Sequence, residues 1–403
     1  MYKKYNECKQ RKTLDENYNQ LCYDIKTIPE HKSSGSKVID DFIRYTQRNY
    51  IRGEGRMEFV PYDRFKNIEF IAEGGFSKIY KAIWVDGPIT NWHGIERNTY
   101  KIVRSLNYTV VLKKLKNSKN VTSKERNELK IFHQICSNKN SEMVFISKYF
   151  GITRDPITKE IMIIMSYYNS GYLMHYISNN FYNISWYIKL TVLRNIIIGL
   201  KYIHDAKIIH RDLHSGNIFI DEHNRSYIGD LGISKSAIEF TNNDNENYGI
   251  IPYMAPEIFR GQKYNETSDI YSFGMIMWEF MIGRRPFWDQ NHDTDLIIDI
   301  CDGLRPSIVT NAPESYIEVM IECWHPFPKK RPPATDIFNK ITKMWINEYQ
   351  NPTKIIKSSD IGPVTSGAIY KSRPLSSMIK TTMSLRSSRS QFTNLEIGSK
   401  QSL

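Results

Sequence analysis

The chain has 403 residues, 40% apolar and 13% aromatic, which allows two or three domains with a real core and excludes a wholly unfolded polymer. Its formal charge of +12 invites an acidic partner, yet no segment reaches the ~18 uncharged apolar residues of a membrane span, and the stretch after Met1 lacks a secretory apolar run. Five scattered cysteines (Cys8, Cys22, Cys136, Cys301, Cys323) suit reduced thiols in the cytoplasm or nucleus better than a disulfide framework.

Residues 1–61 read as an N-terminal extension. Val38, Phe42 and Tyr45 recur at helical spacing and predict an amphipathic helix over Lys37–Arg48, started by Ser33-Ser34-Gly35-Ser36. Cys8, Cys22 and His31 do not complete a zinc site, which wants four ligands in close pairs. From Tyr62 the pattern becomes dense. Ile68–Ala72, Ser77–Trp84 and Tyr108–Leu115 predict strands of a small antiparallel sheet, with Glu73-Gly74-Gly75 as the first turn. The small residues Ala72, Gly74 and Ser77, followed by Ile79, would let backbone N–H groups approach phosphates.

Lys113, after Val110-Val111-Leu112, is the candidate cation for the α- and β-phosphates of a nucleotide, and strand alternation sends Lys114 to the other face. A helix over Val121–Cys136 carries Glu128 as the carboxylate that would orient this lysine, with Glu125 as its competitor. A buried strand over Ile161–Tyr167 follows, then helices over Ser185–His204, Ser268–Ile282 and Pro313–Cys323.

The most telling stretch is His210-Arg211-Asp212-Leu213-His214-Ser215-Gly216-Asn217, answered by Gly229-Asp230-Leu231-Gly232. Asp212 can accept the proton of a substrate hydroxyl, while Asn217 and Asp230 can hold Mg²⁺ against ATP phosphates, the division of labour expected where catalysis is positioning and charge neutralisation. Met254-Ala255-Pro256-Glu257 closes a loop whose hydroxyls are Ser234, Ser236, Thr241 and Tyr248, and Arg211 is placed to bind a phosphate added there.

Together these motifs resemble a eukaryotic-type protein kinase domain. Ser268-Asp269-Ile270-Tyr271-Ser272-Phe273-Gly274 looks like its D-x-W-S-x-G helix start, and Arg331 looks like the arginine that pairs with the Glu257 carboxylate. Gly303-Leu304-Arg305-Pro306, Cys323-Trp324-His325-Pro326 and the insertion Asp86–Asn107 resemble the tyrosine-kinase-like group, especially the expanded fungal kinases. The resemblance implies an α+β, bilobal kinase fold over residues 62–347. A small antiparallel sheet lobe plus helix would span 62–165, a hinge 166–171, and a mainly helical lobe 172–347.

It also implies ATP and Mg²⁺ as cofactors and a protein substrate. Lys113, Glu128, Arg211, Asp212 and Asn217 would be the catalytic set, and Asn217 with Asp230 the metal ligands. Ala72, Gly74, Ser77, Ile79, Val111, Lys113, Met165 as gatekeeper and Tyr168 of the hinge would line the nucleotide. Five positions depart from the pattern: Ala72 and Ser77 stand in the outer glycine places of the glycine-rich loop, Leu231 replaces a phenylalanine, His214 a lysine, and Ile250 a threonine. The last two blur hydroxyl preference, so the implied activity is serine/threonine transfer with tyrosine or dual specificity left open; a pseudokinase scaffold, for which Ala72, Ser77, His214 and Ile250 speak, is the alternative. Residues 348–403 read as a basic, Ser-rich, unstructured tail with eight Lys/Arg against two acids from 351 onward. Lacking interleaved aromatics, the tail makes nucleic acid an unlikely partner.

Overall fold

A computed structural model of the chain describes residues 33–49, 55–74, 77–91, 95–96, 99–100, 103–119, 123–138, 145–237, 247–308, 312–355 and 363–386. Cys8, Cys22, His31, Gly75, Trp92, Thr241 and the serines beyond 386 lie outside them. The chain divides into two compact units, Met1–Glu125 with Tyr149–Tyr167, and Arg126–Lys148 with Tyr168–Leu403.

The first unit is built on a six-stranded sheet. Its strands are β1 (Glu58–Phe59), β2 (Phe65–Glu73), β3 (Ser77–Trp84), β4 (Tyr108–Leu115), β5 (Tyr149–Arg154) and β6 (Ile161–Ser166), in spatial order β1-β5-β6-β4-β3-β2. All neighbours are antiparallel except β1 and β5, which run parallel. The sheet is therefore larger than the three strands read from the first hydrophobic runs, and mixed rather than purely antiparallel. A two-residue strand such as β1 carries no periodicity to read, and its partner lies far along the chain.

Gly151 makes the parallel pairing feasible. A Cβ there would fall 1.9 Å from Glu58 O, and its φ of +149° suits glycine. The helix α1 (Lys37–Arg48) forms as expected and is tied to β1 through Gln47 Nε2 donating to Met57 O at 2.9 Å and Met57 N donating to Thr46 Oγ1 at 3.2 Å. The described residues 33–49 and 55–61 thus belong to the sheet unit. One sheet face packs Val60, Phe65, Ala82, Trp84, Val110, Leu112, Met162 and Ile164 into a buried core.

The second unit is mainly helical. Helix α2 (Ser123–Cys136) lies almost wholly in it, followed by α3 (Leu173–Asn180), α4 (Trp186–Asp205), α5 (Glu266–Ile282), α6 (Thr294–Asp302), α7 (Glu314–Cys323) and α8 (Ala334–Gln350). Helix α5 is buried on every side from Ser268 to Ile282, as a central helix should be. Asn265 and Ser268 form a reciprocal capping box at its start, and Gly283 ends it in the left-handed region. Against α4, Trp345 Nε1 of α8 donates to Thr191 Oγ1 at 2.8 Å.

The expectation of an unstructured tail from 348 fails for the described part. Helix α8 runs to Gln350, and residues 363–386 contain the strand Arg373–Pro374 and a helix over 376–386. Composition misled because few apolar residues suffice here: Leu375, Ile379 and Thr382, at i, i+4 and i+7, are all buried.

Candidate active site

The site is assembled from the short connections of the second unit. Strands β7 (Ile208–Ile209), β8 (Ile218–Ile220), β9 (Ser226–Ile228) and β10 (Lys235–Ser236) pair as β7·β10 and β8·β9, and so bring the His210–Asn217 loop beside Gly229–Gly232. Gly229 N donates to Asn217 O at 2.8 Å, which locks the two segments together.

One carboxylate fixes the loop. Asp269 of α5, 1% exposed, accepts from His210 N at 2.8 Å and Arg211 N at 2.9 Å, and its Oδ2 lies 3.0 Å from His204 Nε2. His210 Nδ1 accepts from Asp212 N at 3.3 Å, so its Nε2 carries the proton and donates to Gly229 O at 3.0 Å. These bonds hold Arg211 at φ +73°, while Asp230 sits at φ +53°. Both are non-glycine residues in a costly backbone region, the kind of strain a rigid surround sustains at functional positions.

The side chains follow from that frame. Asn217 Nδ2 donates to Asp212 O at 2.8 Å, which fixes the amide plane and leaves Oδ1 as a hard acceptor. His214 Nδ1 accepts from Gly216 N at 3.0 Å, so the proton rests on Nε2, 3.8 Å from Asp212 Oδ2. A Cβ at position 216 would meet the His214 ring at 2.9 Å, so glycine is needed there. The His214 ring lies 5.8 Å from that of Tyr253, whose hydroxyl donates to Glu279 Oε1 at 2.7 Å. Burial pushes the Glu279 carboxyl up to about 7, against the opposing bonds from Tyr253 and Ser215. Neither Tyr253 nor Glu279 stood out in the sequence, since an aromatic and an acid 26 residues apart share no motif.

Helix α2 reaches this frame. Asn127 Nδ2 donates to Gly232 O at 3.1 Å and Ser234 O at 3.0 Å, and a Cβ on Gly232 would lie 3.2 Å from Asp230 Oδ1 and 3.8 Å from Glu128 Oε2. Glu128 is thus buried beside the Asp230 turn. Arg211, also buried, stacks its guanidinium 4.7 Å from the Tyr264 ring centroid, and burial lowers its pKa. Of the loop hydroxyls, Ser234 is fully buried and donates to His210 O at 3.1 Å. Glu257 and Arg331 form the expected pair, a bidentate bridge with both contacts at 2.7 Å.

In the sheet unit, strand register puts the remaining candidates on one face. Ile79 pairs with Lys113 and Lys113 with Ile163; Val111 pairs with Met165, and Ala72 with Ile79. Directly paired residues share a face, and this one is opposite the apolar core. Lys114, on the core side, is an ion-pair residue: its Nζ lies 2.7 Å from Asp155 Oδ2 and 3.3 Å from Glu160 Oε2. Burial works against its charge, but those bonds raise its pKa overall. Gly74 N donates to Ser77 O at 2.8 Å, closing the small-residue turn. Tyr168 has its ring stacked on Phe219 and Tyr227, which leaves its backbone as the part able to meet a base.

The family model for protein tyrosine and serine/threonine kinases matches residues 65–341. The chain belongs to that kinase family. Among similar proteins, a putative serine/threonine-protein kinase/receptor of Acanthamoeba polyphaga mimivirus is 33% identical over 45% of this chain and 11% of its own length. A stress-activated protein kinase alpha of Dictyostelium discoideum is 28% identical over 75% of this chain and 45% of its own. A probable LIM domain-containing serine/threonine-protein kinase of the same organism is 25% identical over 68% of this chain and 38% of its own. The kinase chain therefore spans less than half the length of these relatives. No helix among the described residues is long and apolar enough to cross a membrane.

Proposed function

We propose that this chain is an ATP- and Mg²⁺-dependent protein kinase that phosphorylates protein serine and threonine inside the cell, and that it belongs to the tyrosine-kinase-like group with the expanded fungal kinases. The observation that carries the activity is the cradle around Asp212: a backbone fixed by Asp269, a carboxylate faced by His214 Nε2–H at 3.8 Å, and Asn217 bonded to its carbonyl. Asp212 takes the proton of the acceptor hydroxyl. His214 stands in place of the family lysine and keeps its Nε2 side turned to the same carboxylate at 3.8 Å, a polar contact longer than a hydrogen bond, which favours activity over a scaffold role.

Glu128 is assigned as the orienting carboxylate for Lys113, which holds the α- and β-phosphates. Ala72, Gly74, Ser77 and Ile79 cover them, and Val111, Met165 and the Tyr168 backbone receive the base. Asn217 and Asp230 suit a hard cation, because both can present oxygen while the Asn217 amide nitrogen is already engaged. Bound Mg²⁺ would supply charge neutralisation at the phosphate oxygens. Arg211, whose buried Nε lacks a hydrogen-bond partner, awaits a phosphate on the loop that precedes Tyr248. The Tyr248–Glu257 segment, pinned by Arg331 through Glu257, forms the bed for the substrate peptide.

Membership of the tyrosine-kinase-like group is supported by Arg305, which joins its two signature motifs by donating from Nε to Trp324 O at 3.0 Å. An intracellular, reducing compartment accords with Cys136, Cys301 and Cys323, free and buried among the described residues. The test is incubation of the purified chain with Mg²⁺ and γ-labelled ATP, followed by phosphoamino-acid analysis. Label on serine and threonine is expected. Label on tyrosine alone would overturn the hydroxyl preference, and nucleotide binding without incorporation would favour the scaffold.

A further inference from the structure

Strand β11 (Tyr248–Gly249) is an edge with backbone groups turned outward, and such an edge pairs readily with any extended chain. Here the occupant is the kinase's own C-terminal segment. Strand β12 (Arg373–Pro374) lies antiparallel on it, with Tyr248 opposite Pro374 and Gly249 opposite Arg373. Leu375 N donates to Asn247 O at 2.8 Å, and Asn247 N donates to Ser376 Oγ at 2.9 Å.

Anchors flank the paired strands on both sides. Upstream, Tyr370 donates from its hydroxyl to Pro286 O at 2.7 Å and lies under the Arg285 guanidinium at 3.8 Å. Arg373 Nη2 donates to His292 O at 2.6 Å, and His292 N donates to Gly367 O at 2.9 Å. Downstream, Leu375 and Ile379 are buried, and Arg386 pairs with Asp302 at 2.6 Å. Two of the basic residues that suggested an acidic partner are therefore spent within the chain.

The edge is adjacent to the chemistry. Tyr264 donates from its hydroxyl to Tyr248 O at 3.2 Å, and its ring carries the Arg211 guanidinium next to Asp212. We infer that residues 363–386 are a strap that occupies the peptide-docking edge at Asn247–Gly249 and competes with an extended protein substrate for it. This rests on the reading of Tyr248–Glu257 as the substrate bed. Substrate and strap want the same N–H and C=O groups of β11, so one must leave for the other to pair. A strap docked ~90% of the time raises the apparent KM for peptide about tenfold, leaving kcat and the ATP KM untouched.

The test uses full-length chain carrying Leu375→Asp and Ile379→Asp, which place charge at two buried anchors, beside wild type. Hydrogen exchange reads the amides of Asn247 and Leu375, and steady-state kinetics use a degenerate Ser/Thr peptide library. Expected are protected amides in wild type, released in the variant, with a peptide KM lower by about tenfold and an unchanged ATP KM. A synthetic peptide of residues 366–382 added to the variant should inhibit competitively against the library and not against ATP. Unprotected amides in wild type, or released amides with an unchanged peptide KM, would overturn the strap. A variant that loses activity and melts lower would also overturn it, marking the segment as a structural part of the fold. Absence of phosphate transfer in both proteins would instead fall on the proposed function, and the competition with it, while exchange still shows whether the segment is docked.

Discussion

The catalytic loop and the strap are both held by hydrogen bonds to main chain, but in opposite ways. The loop hangs on Asp269, a buried carboxylate in the first turn of α5 that binds two successive amides and lies against a histidine. The strap hangs on a two-residue strand pairing, one stacked tyrosine, part-exposed arginines and the uncharged anchors Leu375 and Ile379, with no buried charge among them. Breaking a buried charge leaves groups without partners, whereas a peripheral contact exchanges for water at little cost. On the proposed reading, the interior fixes the geometry of proton transfer and the periphery adjusts access to it.

The largest break in this contrast is Asp269→Ala. It strands the His210 and Arg211 amides in the interior, at about 1–3 kcal/mol each, and frees the loop that presents Asp212. A drop of several degrees in melting temperature should accompany loss of kcat. A variant that melts like wild type would show that the loop is held by other means.

Next is the pH response of the buried Tyr253–Glu279 pair. Glu279 has a folded pKa raised to about 7 from 4.5. The folded chain therefore keeps a proton that the unfolded chain releases. The stability from this group is complete below pH 4.5 and is lost as pH rises through 7, on the order of 3 kcal/mol. Glu279→Gln keeps an acceptor for Tyr253 and removes the titration. The melting temperature should then fall less between pH 5 and 8, and at pH 8 exceed wild type by roughly 5 °C. A wild-type slope in the variant would place the titration elsewhere.

The smallest effect separates two adjacent lysines. Lys114→Met breaks an ion pair near the surface and should cost about 1 kcal/mol of stability with kcat unchanged. Lys113→Met should leave stability nearly intact and abolish transfer. Equal activity losses in both would remove the distinction that strand register draws between them.

Much of this was legible in the sequence because the chemistry is compressed into short motifs. His210–Asn217 and Gly229–Gly232 stood out as a pair that the structure brings together, and the alternation of β4 already separated Lys113 from Lys114. What stayed hidden depends on distance along the chain. The β1·β5 pairing, the Tyr253–Glu279 bond and the place of Asp269 under two catalytic-loop amides join residues with no shared periodicity. The strap was hidden by composition: serine, threonine, lysine and arginine make up half of it, yet Leu375, Ile379 and Thr382 form one buried face. That spacing was a readable signal, outweighed by the average around it.

The central claim is that Asp212 accepts the substrate proton in a frame its own side chain does not build. Asn217 binds the Asp212 carbonyl and Asp269 binds the neighbouring amides, so Asp212→Asn should fold and bind nucleotide as wild type does. The deciding measurement is kcat for phosphate transfer by full-length Asp212→Asn at saturating Mg²⁺-ATP. The account predicts a fall on the order of 10²- to 10⁴-fold with unchanged nucleotide affinity; transfer within a few-fold of wild type would contradict it.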